Sequence, residues 1–403
     1  MFFLFRWSIR VYQQFLRLYV SAFNIKNTEI IHQVGASKVV AEKLKKDGID
    51  KVLIVTDSVL LKLGLLSDMI EGLEKEKIEY HIYSDVVPNP TIKNIEGAKS
   101  IFIENKCQAI VALGGGSVMD CAKMVGVVAL SGKSVKHYDK LIPFIKENTK
   151  LYAIPTTAGS GSEVTISAVI TDSDNHKKMP ITDQKLAPDY AFLDANLMVG
   201  LPKSATAATG MDALTHAIES YIGNWKFKVT DEYAIKATQI LMNNIKKAYD
   251  NGADLEARSQ MALGATYGGY AFRTGGVGYV HAIAHRLSEL YGVPHGLANA
   301  IVLTHVLRYL FPSIYKKLAD LSIKANIGDS SKTSKQIAMD FIDKIENLNK
   351  ELDIPIYVDK LQEKDIKLIA KRAIAEANST YPVPKPINRK EMEQFVKTLL
   401  PKT

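Results

Sequence analysis

Cysteine is scarce in this chain of 403 residues, which contains only Cys107 and Cys121. Two cysteines cannot build the disulfide framework of a small secreted protein, and they favour a reduced, cytoplasmic setting. Neither lies near a histidine-rich stretch, which argues against a structural zinc held by thiolates. We expect both to be small buried residues.

Blocks of like charge are also missing, although 51 basic residues outnumber 43 acidic ones and give a net charge of +8. The charges are scattered, without the basic stripe and interleaved aromatic residues that nucleic-acid binding needs. We therefore predict a lysine-rich solvated surface and no nucleic-acid partner. With 47% hydrophobic and 23% charged residues, the composition is that of a globular protein and excludes disorder.

Residues 1–24 lack an uninterrupted apolar run, because Arg6, Arg10 and Arg17 break it, and no small-residue cleavage site follows. Polar residues recur there with a helical period, which predicts an amphipathic helix with a wide aromatic face. We expect this helix to pack against the body of the protein or against a sister subunit. Weak contact with a membrane surface is the alternative, because the three arginines line the polar stripe.

Two regions with different secondary-structure patterns follow. Strands and helices alternate over 25–200, which predicts an α/β domain with a parallel sheet covered on both faces. Over 201–403 the apolar residues recur with a period near 3.6 and no stretch resembles a strand, which predicts an all-helical domain. Its last helices are expected over 313–326, 333–352, 362–377 and 388–399.

Gly114, Gly115, Gly116 and Ser117 follow a predicted strand and open a predicted helix. Glycines let a phosphate approach the backbone, and the helix N-terminus offers free N–H groups. Asp120, in the first helical turn, can cap the helix or hold a ribose or a water. The pattern is not G-x-G-x-x-G, and a structural turn that needs no ligand is the alternative.

A second loop, residues 154–165, is rich in small hydroxyl side chains: Thr156, Thr157, Ser160, Ser162 and Thr165. Together the two loops suggest two walls of one cofactor site. Asp57 ends the first strand of the alternating region, where a carboxylate can accept from an adenosine ribose hydroxyl and repel a 2′-phosphate. This position favours NAD over NADP, and a turn or capping role for Asp57 is the alternative.

A carboxylate and several histidines are concentrated in two helical stretches. Asp212 and His216 are four residues apart and share a helix face, His281 and His285 repeat the spacing, and His295 follows a Gly-Val-Pro turn. One carboxylate and three imidazoles suit Fe²⁺ or Zn²⁺. Histidines that only pack in the core are the alternative, and we interpret His305 in that way.

The blocks "ALGGGSVMDCAK", "IPTTAGSGSEVT", "ATGMDALTHAIESY" and "VHAIAHRLSELYGVPHGLANAI" together resemble those of the iron-containing (group III) alcohol dehydrogenase family, over about residues 28–400. The resemblance implies an N-terminal Rossmann-like dinucleotide-binding α/β domain, an all-helical C-terminal metal-binding domain, iron, and a homodimer or higher homo-oligomer. It leaves Zn²⁺ open, since the ligand types accept both metals.

The resemblance also implies roles for individual residues. The implied metal ligands are Asp212, His216, His281 and His295. His285 matches a non-ligand histidine proposed as a proton relay, and Phe272 matches a residue that narrows the substrate pocket. The implied cofactor residues are Gly115, Gly116, Ser117 and Asp120 at the pyrophosphate, Thr156, Thr157, Thr165 and Lys178 at the nicotinamide and ribose, and Asp57 and Asn89 at the adenosine.

Three features depart from the family pattern. Ala282, Arg286 and Ser288 replace glycine, proline and glycine, and Arg286 either acts on His285 or an acidic substrate or forms a structural ion pair. "NSTYPVPK" stands where many relatives carry "GNPR", which leaves the substrate preference open. The N-terminal helix is an addition to the shortest members.

The expected function is reversible hydride transfer between NAD and a small primary alcohol or aldehyde, with a metal as Lewis acid. A polyol dehydrogenase of glycerol or propanediol type on the same fold is the close alternative. A dehydroquinate-synthase-like lyase would need a basic phosphate pocket, for which only Arg286 is available. A non-enzymatic membrane scaffold would leave the metal-ligand set unexplained.

Overall fold

The structure is a computed structural model that describes residues 2–21, 26–140, 142–175 and 177–401, with the side chains of 2–6 and 19 left out. Its contacts form two compact units: Asn24–Gly200 with Ala253–Thr266, and Met1–Phe23 with Leu201–Gly252 and Tyr267–Thr403. We call them the α/β unit and the helical unit. The predicted helical domain, 201–403, included residues 253–266. By their contacts these residues group with the α/β unit instead.

Six parallel strands form the sheet of the α/β unit, in the order β1-β8-β5-β4-β2-β3. The strand bounds are β1 Glu29–His32, β2 Lys51–Val55, β3 Glu79–Tyr83, β4 Ala109–Gly114, β5 Lys150–Pro155, β6 Ser167–Asp172, β7 Lys177–Thr182 and β8 Tyr190–Leu193. Strands β6 and β7 form a separate antiparallel pair, which the alternating pattern did not predict.

Helices cover both faces of this sheet. Alternate residues of β2 enter different apolar clusters: Leu53 and Val55 pack in one, and Val52 and Ile54 in the other. A strand buried on both faces reads as a continuous apolar run, and this explains the sequence "KVLIV". The helices of this unit are α2 Val40–Lys46, α3 Ser58–Lys62, α4 Ser67–Lys75, α5 Ile92–Glu104 and α6 Gly116–Ser131.

Helices alone build the helical unit within the described residues, as predicted. They are α1 Phe2–Ser21, α7 Lys203–Ile222, α8 Lys228–Asp250, α9 Leu255–Gly275, α10 Tyr279–Tyr291, α11 His295–Lys324, α12 Ser334–Glu351, α13 Ile366–Thr380 and α14 Arg389–Lys397. The first part of α9, residues 255–266, groups by its contacts with the α/β unit.

The predicted helix start at residue 313 is wrong, because α11 begins at His295 and runs through Pro312. A proline inside a helix loses one hydrogen bond and costs about 3 kcal/mol. Burial of α11 against α7 and α12 offsets that cost. By length and composition α11 is the one described helix that could cross a membrane, but most of its apolar window is buried inside the protein.

Helix α1 packs on the body of the protein, which is one of the two contacts expected for it. Its polar stripe lies against the helical unit, where Arg10 donates to the Val383 carbonyl at 2.7 Å and Gln13 donates to the Tyr381 carbonyl at 2.7 Å. The packed side of α1 therefore includes Arg10 and Gln13 of the polar stripe, and several large apolar residues lie on the exposed side.

Candidate metal centre

Helices α7 and α10 bring three of the predicted ligands together. Asp212 and His216 lie one turn apart on α7, and His281 lies in the first turn of α10. All three are buried, and one ligand atom from each lies within 4.8 Å of the others. The imidazole rings of His216 and His281 stack with their centroids 4.7 Å apart. This cluster has the residue types and the spacing of a transition-metal site.

His295 joins the cluster from the first residue of α11. Its Nε2 atom lies 3.5 Å from Oδ1 of Asp212. Gly296 permits this approach, because a Cβ atom there would lie 2.3 Å from the Ala208 carbonyl oxygen on α7. The helix start after Pro294 thus places the fourth predicted ligand beside the other three.

Asn299, one turn further along α11, is a site residue that the sequence reasoning missed. Its amide nitrogen lies 2.6 Å from Oδ1 of Asp212, 3.2 Å from Nε2 of His281 and 3.1 Å from Nε2 of His295. Three possible ligand atoms thus converge on the point that the Asn299 amide occupies. A divalent cation would accept lone pairs from the same atoms, so these residues fit a metal. The "HGLAN" spacing, four residues after His295, is the signal that could have pointed to Asn299.

The electrostatics of the cluster agree with cation binding. Burial opposes the charge of Asp212, but the neighbouring histidines and the Asn299 amide outweigh it and lower the pKa of Asp212 to about 2. Burial and the neighbouring His216 and His295 hold the pKa of His281 well below its usual range. A charged carboxylate and a neutral imidazole are the protonation states that metal ligands need.

Glu219, on α7, is a second residue that the sequence reasoning missed. Its Oε2 atom accepts a hydrogen bond from Nδ1 of His281 at 2.7 Å, and the carboxylate also accepts from the backbone N–H groups of Gly278 and Val280. The bond to Nδ1 fixes the imidazole tautomer and leaves the Nε2 lone pair toward Asp212. Burial raises the pKa of Glu219 to about 7, although backbone hydrogen bonds oppose the shift.

Arg286 forms the ion pairs considered as one of its roles. Its guanidinium contacts Glu289 at 2.8 Å and Glu376 at 2.9 Å. The other carboxylate oxygen of Glu376 lies 2.6 Å from Nδ1 of His285 and accepts from the Tyr381 hydroxyl at 2.5 Å. His285 itself stacks on His295, with centroids 5.1 Å apart.

Phe272, the residue predicted to narrow the pocket, lies on α9 and stacks on His216 with a centroid separation of 4.2 Å. His305, interpreted as structural, lies away from this group and contacts the Ile356 carbonyl at 3.0 Å. The predicted ligands, relay residue and pocket residue of the helical unit therefore form one cluster, and His305 is outside it.

In the α/β unit the predicted cofactor segments follow three neighbouring parallel strands. Asp57 follows β2, the glycine turn follows β4, and Thr156 follows β5. The strand order changes direction at β2 and β4, since β3 lies on one side of β2 and β4 on the other. Open α/β sheets bind ligands at the carboxyl ends of strands beside such a switch point.

Hydrogen bonds join several of these predicted cofactor residues. The Ser117 hydroxyl accepts from the backbone N–H of Asn89 at 3.2 Å, and Lys178 donates to the Asn89 side chain at 2.8 Å. Asp120 does not cap α6. It accepts from the Ser162 hydroxyl and from the backbone N–H of Val169, and so links the two predicted loops.

Lys123 and Glu163 are charged residues beneath these loops that the sequence reasoning missed. The buried Lys123 ammonium donates to Ser162, to Thr165 and to the Ser167 carbonyl, at 2.8 to 2.9 Å. Burial lowers the pKa of Lys123 to about 8. Glu163 accepts from the Thr266 hydroxyl at 2.7 Å. Lys123 therefore holds the hydroxyl-rich loop in shape.

Asp57 caps α3 by accepting from the backbone N–H groups of Val59 and Leu60 with Oδ1. This is the capping role named as the alternative for this residue, and the second carboxylate oxygen is still available for a ribose. Cys107 and Cys121 are both buried and free, as expected.

Comparison with known proteins identifies both units. A family model described as iron-containing alcohol dehydrogenase matches residues 27–195, and one for the C-terminal part of the Fe-containing alcohol dehydrogenase family matches 206–400. Alcohol dehydrogenase 4 of Schizosaccharomyces pombe is 38% identical over 369 residues, which cover 90% of this chain and 86% of that protein. The NAD-dependent methanol dehydrogenase of Bacillus methanolicus is 36% identical, with 91% and 96% covered.

Solved structures agree with these relatives. A crystal structure of a 1,3-propanediol oxidoreductase superposes with a TM-score of 0.89 at 32% identity, and covers 94% of this chain and 100% of its own. An alcohol dehydrogenase from Oenococcus oeni gives the same TM-score at 29% identity, with the same shares covered.

The fold and the ligand set define a metal-dependent dehydrogenase. More closely, the chain belongs to the iron-containing alcohol dehydrogenase family. The predicted family, fold class and enzyme class are confirmed. The individual cofactor and metal ligands stay predictions that the geometry supports.

Proposed function

We propose that this protein transfers a hydride between a small primary alcohol or aldehyde and NAD, with Asp212, His216, His281 and His295 as ligands of Fe²⁺. The observation that carries the proposal is the convergence of the Asp212, His281 and His295 acceptor atoms on one point. An NAD-dependent methanol dehydrogenase among the relatives supports the coenzyme and the substrate class.

When bound, the metal would supply a Lewis acid that lowers the pKa of an alcohol, and NAD would supply the hydride acceptor. The residues of this chain do the rest. Glu219 holds His281 in the tautomer that presents Nε2 to the metal. Phe272 covers His216 and limits the space beside it. Glu376 holds Nδ1 of His285, which leaves Nε2 to receive or return the alcohol proton.

A polyol substrate is the second candidate, because relatives include a 1,3-propanediol dehydrogenase of Klebsiella pneumoniae that is 35% identical. The chain and the metal site would be the same, and only the pocket contacts would differ. A lyase that binds phosphate is less well supported, since the two terminal nitrogens of Arg286 already form ion pairs with Glu289 and Glu376.

We also propose a cytoplasmic location and a homodimer or higher homo-oligomer. Two buried, reduced cysteines support the location, and the family resemblance supports the assembly. Gel filtration with light scattering would test the oligomer, and a monomer at micromolar concentration would contradict it.

The decisive experiment is to purify the protein without oxygen, measure its metal content, and follow NADH absorbance with C2–C6 alcohols, diols and aldehydes. We expect turnover with Fe²⁺ and a faster rate with NAD than with NADP. Preference for diols over monoalcohols would select the polyol candidate. Absence of turnover with any substrate and any divalent metal would exclude the proposed function.

A further inference from the structure

Helix α1 lies outside both ranges that match the family models, which begin at residue 27. Its docking uses hydrogen bonds from the polar side: Arg10 donates to the carbonyls of Val383 and Pro384, and the buried Gln13 donates to the Tyr381 carbonyl. In return, the Trp225 indole donates to the Gln13 carbonyl at 3.0 Å. The segment that receives α1, "YPVP", is also the one that departs from the family pattern.

The opposite side of α1 is apolar and exposed. Trp7, Val11, Phe15 and Leu18 follow one another at helical spacing, so they share one face. Between 50% and 68% of each side chain is accessible. An amphipathic helix on a globular protein normally buries this face. Here the packed side combines the polar Arg10 and Gln13 with half-buried apolar residues, and the apolar stripe of Trp7, Val11, Phe15 and Leu18 stays exposed.

We propose that this face, defined by Trp7, Val11, Phe15 and Leu18, inserts into the headgroup region of an anionic lipid bilayer and holds the enzyme on a membrane surface. Aromatic and aliphatic side chains on one helix face are what an interfacial helix buries among lipids. A Trp in this stripe suits the boundary between headgroups and acyl chains.

Charge beside the face supports lipid as the occupant. Arg17 of α1 donates to the Lys226 carbonyl at 3.2 Å, and its guanidinium lies over the Phe227 ring. The segment 226–229 therefore adjoins the helix, and it exposes Lys226, Lys228 and the apolar Val229. The Lys228 side chain is 91% accessible. Two such lysines attract anionic headgroups at the edge of the apolar stripe.

The size of the face argues against a second copy of this chain as its partner. Aromatic residues bury about 150–250 Å² each when fully covered, so four partly exposed side chains offer roughly 400 Å². Two copies would bury roughly 800 Å², below the 1,000 Å² or so that a specific interface needs. A bilayer has no such requirement for complementary shape.

The two tryptophans of the chain make a direct test, because Trp7 lies in the exposed face and Trp225 lies beneath the docked helix. With full-length Trp225→Phe protein, addition of phosphatidylcholine–phosphatidylglycerol vesicles should shift the Trp7 emission to the blue, and brominated lipid should quench it. With Trp7→Phe protein, the Trp225 emission should not change, because α1 stays docked.

Vesicle co-sedimentation adds matched variants. Phe15→Ser with Leu18→Ser should lower the partition coefficient about tenfold or more, because two apolar side chains no longer enter the bilayer. Gln14→Ser, an exposed polar change on the same helix, should leave it unchanged. Lys226→Glu with Lys228→Glu should weaken binding to the anionic vesicles and leave pure phosphatidylcholine unaffected.

Three outcomes would overturn the proposal. They are no Trp7 shift with anionic vesicles, partition that Phe15→Ser with Leu18→Ser does not reduce, and a lipid-free oligomer that this double variant dissociates. The last result would assign the face to a second copy. Turnover in solution is a separate readout, so failure here would leave the proposed dehydrogenase activity standing.

Discussion

Two groups of polar and charged side chains, one in each unit, differ in the arrangement of their hydrogen-bond partners. In the α/β unit the Lys123 ammonium has three oxygen acceptors, and Asp120 accepts from Ser162 and from a backbone N–H. In the helical unit the acceptors of Asp212, His281 and His295 converge on one amide. Hydrogen bonds within the protein surround the first group, whereas the second group brings three possible metal-ligand atoms to one point.

The difference separates a structural role from a ligand-binding role. A buried charge whose hydrogen bonds are complete holds loops in place and resists change. Nitrogen and oxygen lone pairs that converge on one point are the arrangement in which proteins bind a transition-metal cation.

Replacing His281 with alanine should give the largest loss. One of the three buried ligands disappears, so we expect metal content to fall to background and the rate of NADH formation to fall by about three orders of magnitude or more. Metal analysis and anaerobic assays would measure both. His305→Ala, outside the cluster, is the control and should keep both. Full retention of metal by His281→Ala would refute the ligand assignment.

Replacing Lys123 with methionine should destabilise the α/β unit by about 3 kcal/mol, because buried acceptors lose their donor and the nearby carboxylates lose a cation. Chemical denaturation would measure the change, with exposed Lys62→Met as the control. Metal content should not fall. Loss of metal together with stability would show that the two groups are not independent.

The same variant has a pH signature. Burial lowers the pKa of Lys123 to about 8 in the folded protein, below the unfolded value near 10.5. Between these values the unfolded chain binds more protons, so the stability of the wild type relative to Lys123→Met should rise with pH from about 8 to about 10.5. A flat difference across this window would contradict a buried, ionisable Lys123.

Glu219→Gln should weaken metal binding about 10- to 100-fold while all four ligands remain. A glutamine amide donates where the carboxylate accepts, which favours the His281 tautomer with a proton on Nε2 and no lone pair toward the metal. Competition with a chelator would measure the affinity. Glu391→Gln is the matched control, because the Glu391 carboxylate accepts from the backbone N–H of Asn388 at the start of α14. Unchanged metal affinity in Glu219→Gln would remove this role.

Substitutions of Asp57 should give the smallest effects. Two variants separate its role as the cap of α3 from its role in coenzyme preference. Asp57→Ala loses the cap of α3 and should cost about 1 kcal/mol. Asp57→Asn keeps an acceptor for the cap but loses the charge, so it should lower the preference for NAD over NADP without loss of stability. The ratio of kcat/KM for the two coenzymes measures this. An Asp57→Asn protein with the wild-type ratio would leave Asp57 as a cap alone.

Much of the centre could be predicted because it rests on short-range spacing. Asp212 and His216 are one turn apart, which any helix converts into a shared face. Asn299 and Glu219 could not be assigned in the same way, since an asparagine four residues or a glutamate three residues after a histidine is common on helices. Their roles depend on distant residues: Glu219 contacts His281, 62 positions away, and Asn299 contacts Asp212, 87 positions away.

Helix α1 is a second case in which the sequence predicts an element but not its tertiary contacts. The polar period of residues 1–24 predicted a helix, and α1 forms over Phe2–Ser21. Which face packs could not be read from the period, because the carbonyls of Tyr381 and Val383 that receive Gln13 and Arg10 lie more than 360 residues away. Every residue has a backbone carbonyl, so the sequence does not indicate which carbonyls accept these hydrogen bonds.

The sequence by itself determined the α/β-then-helical order, the two small-residue loops, the ligand types and the family. Those features follow from local periodicity and from motifs of a few residues. Only the tertiary structure decided which acceptors converge, which charges are already satisfied, and which way α1 faces. The reason is physical: periodicity acts over one or two turns, whereas hydrogen-bond completeness is a sum over partners that the fold brings from distant parts of the chain.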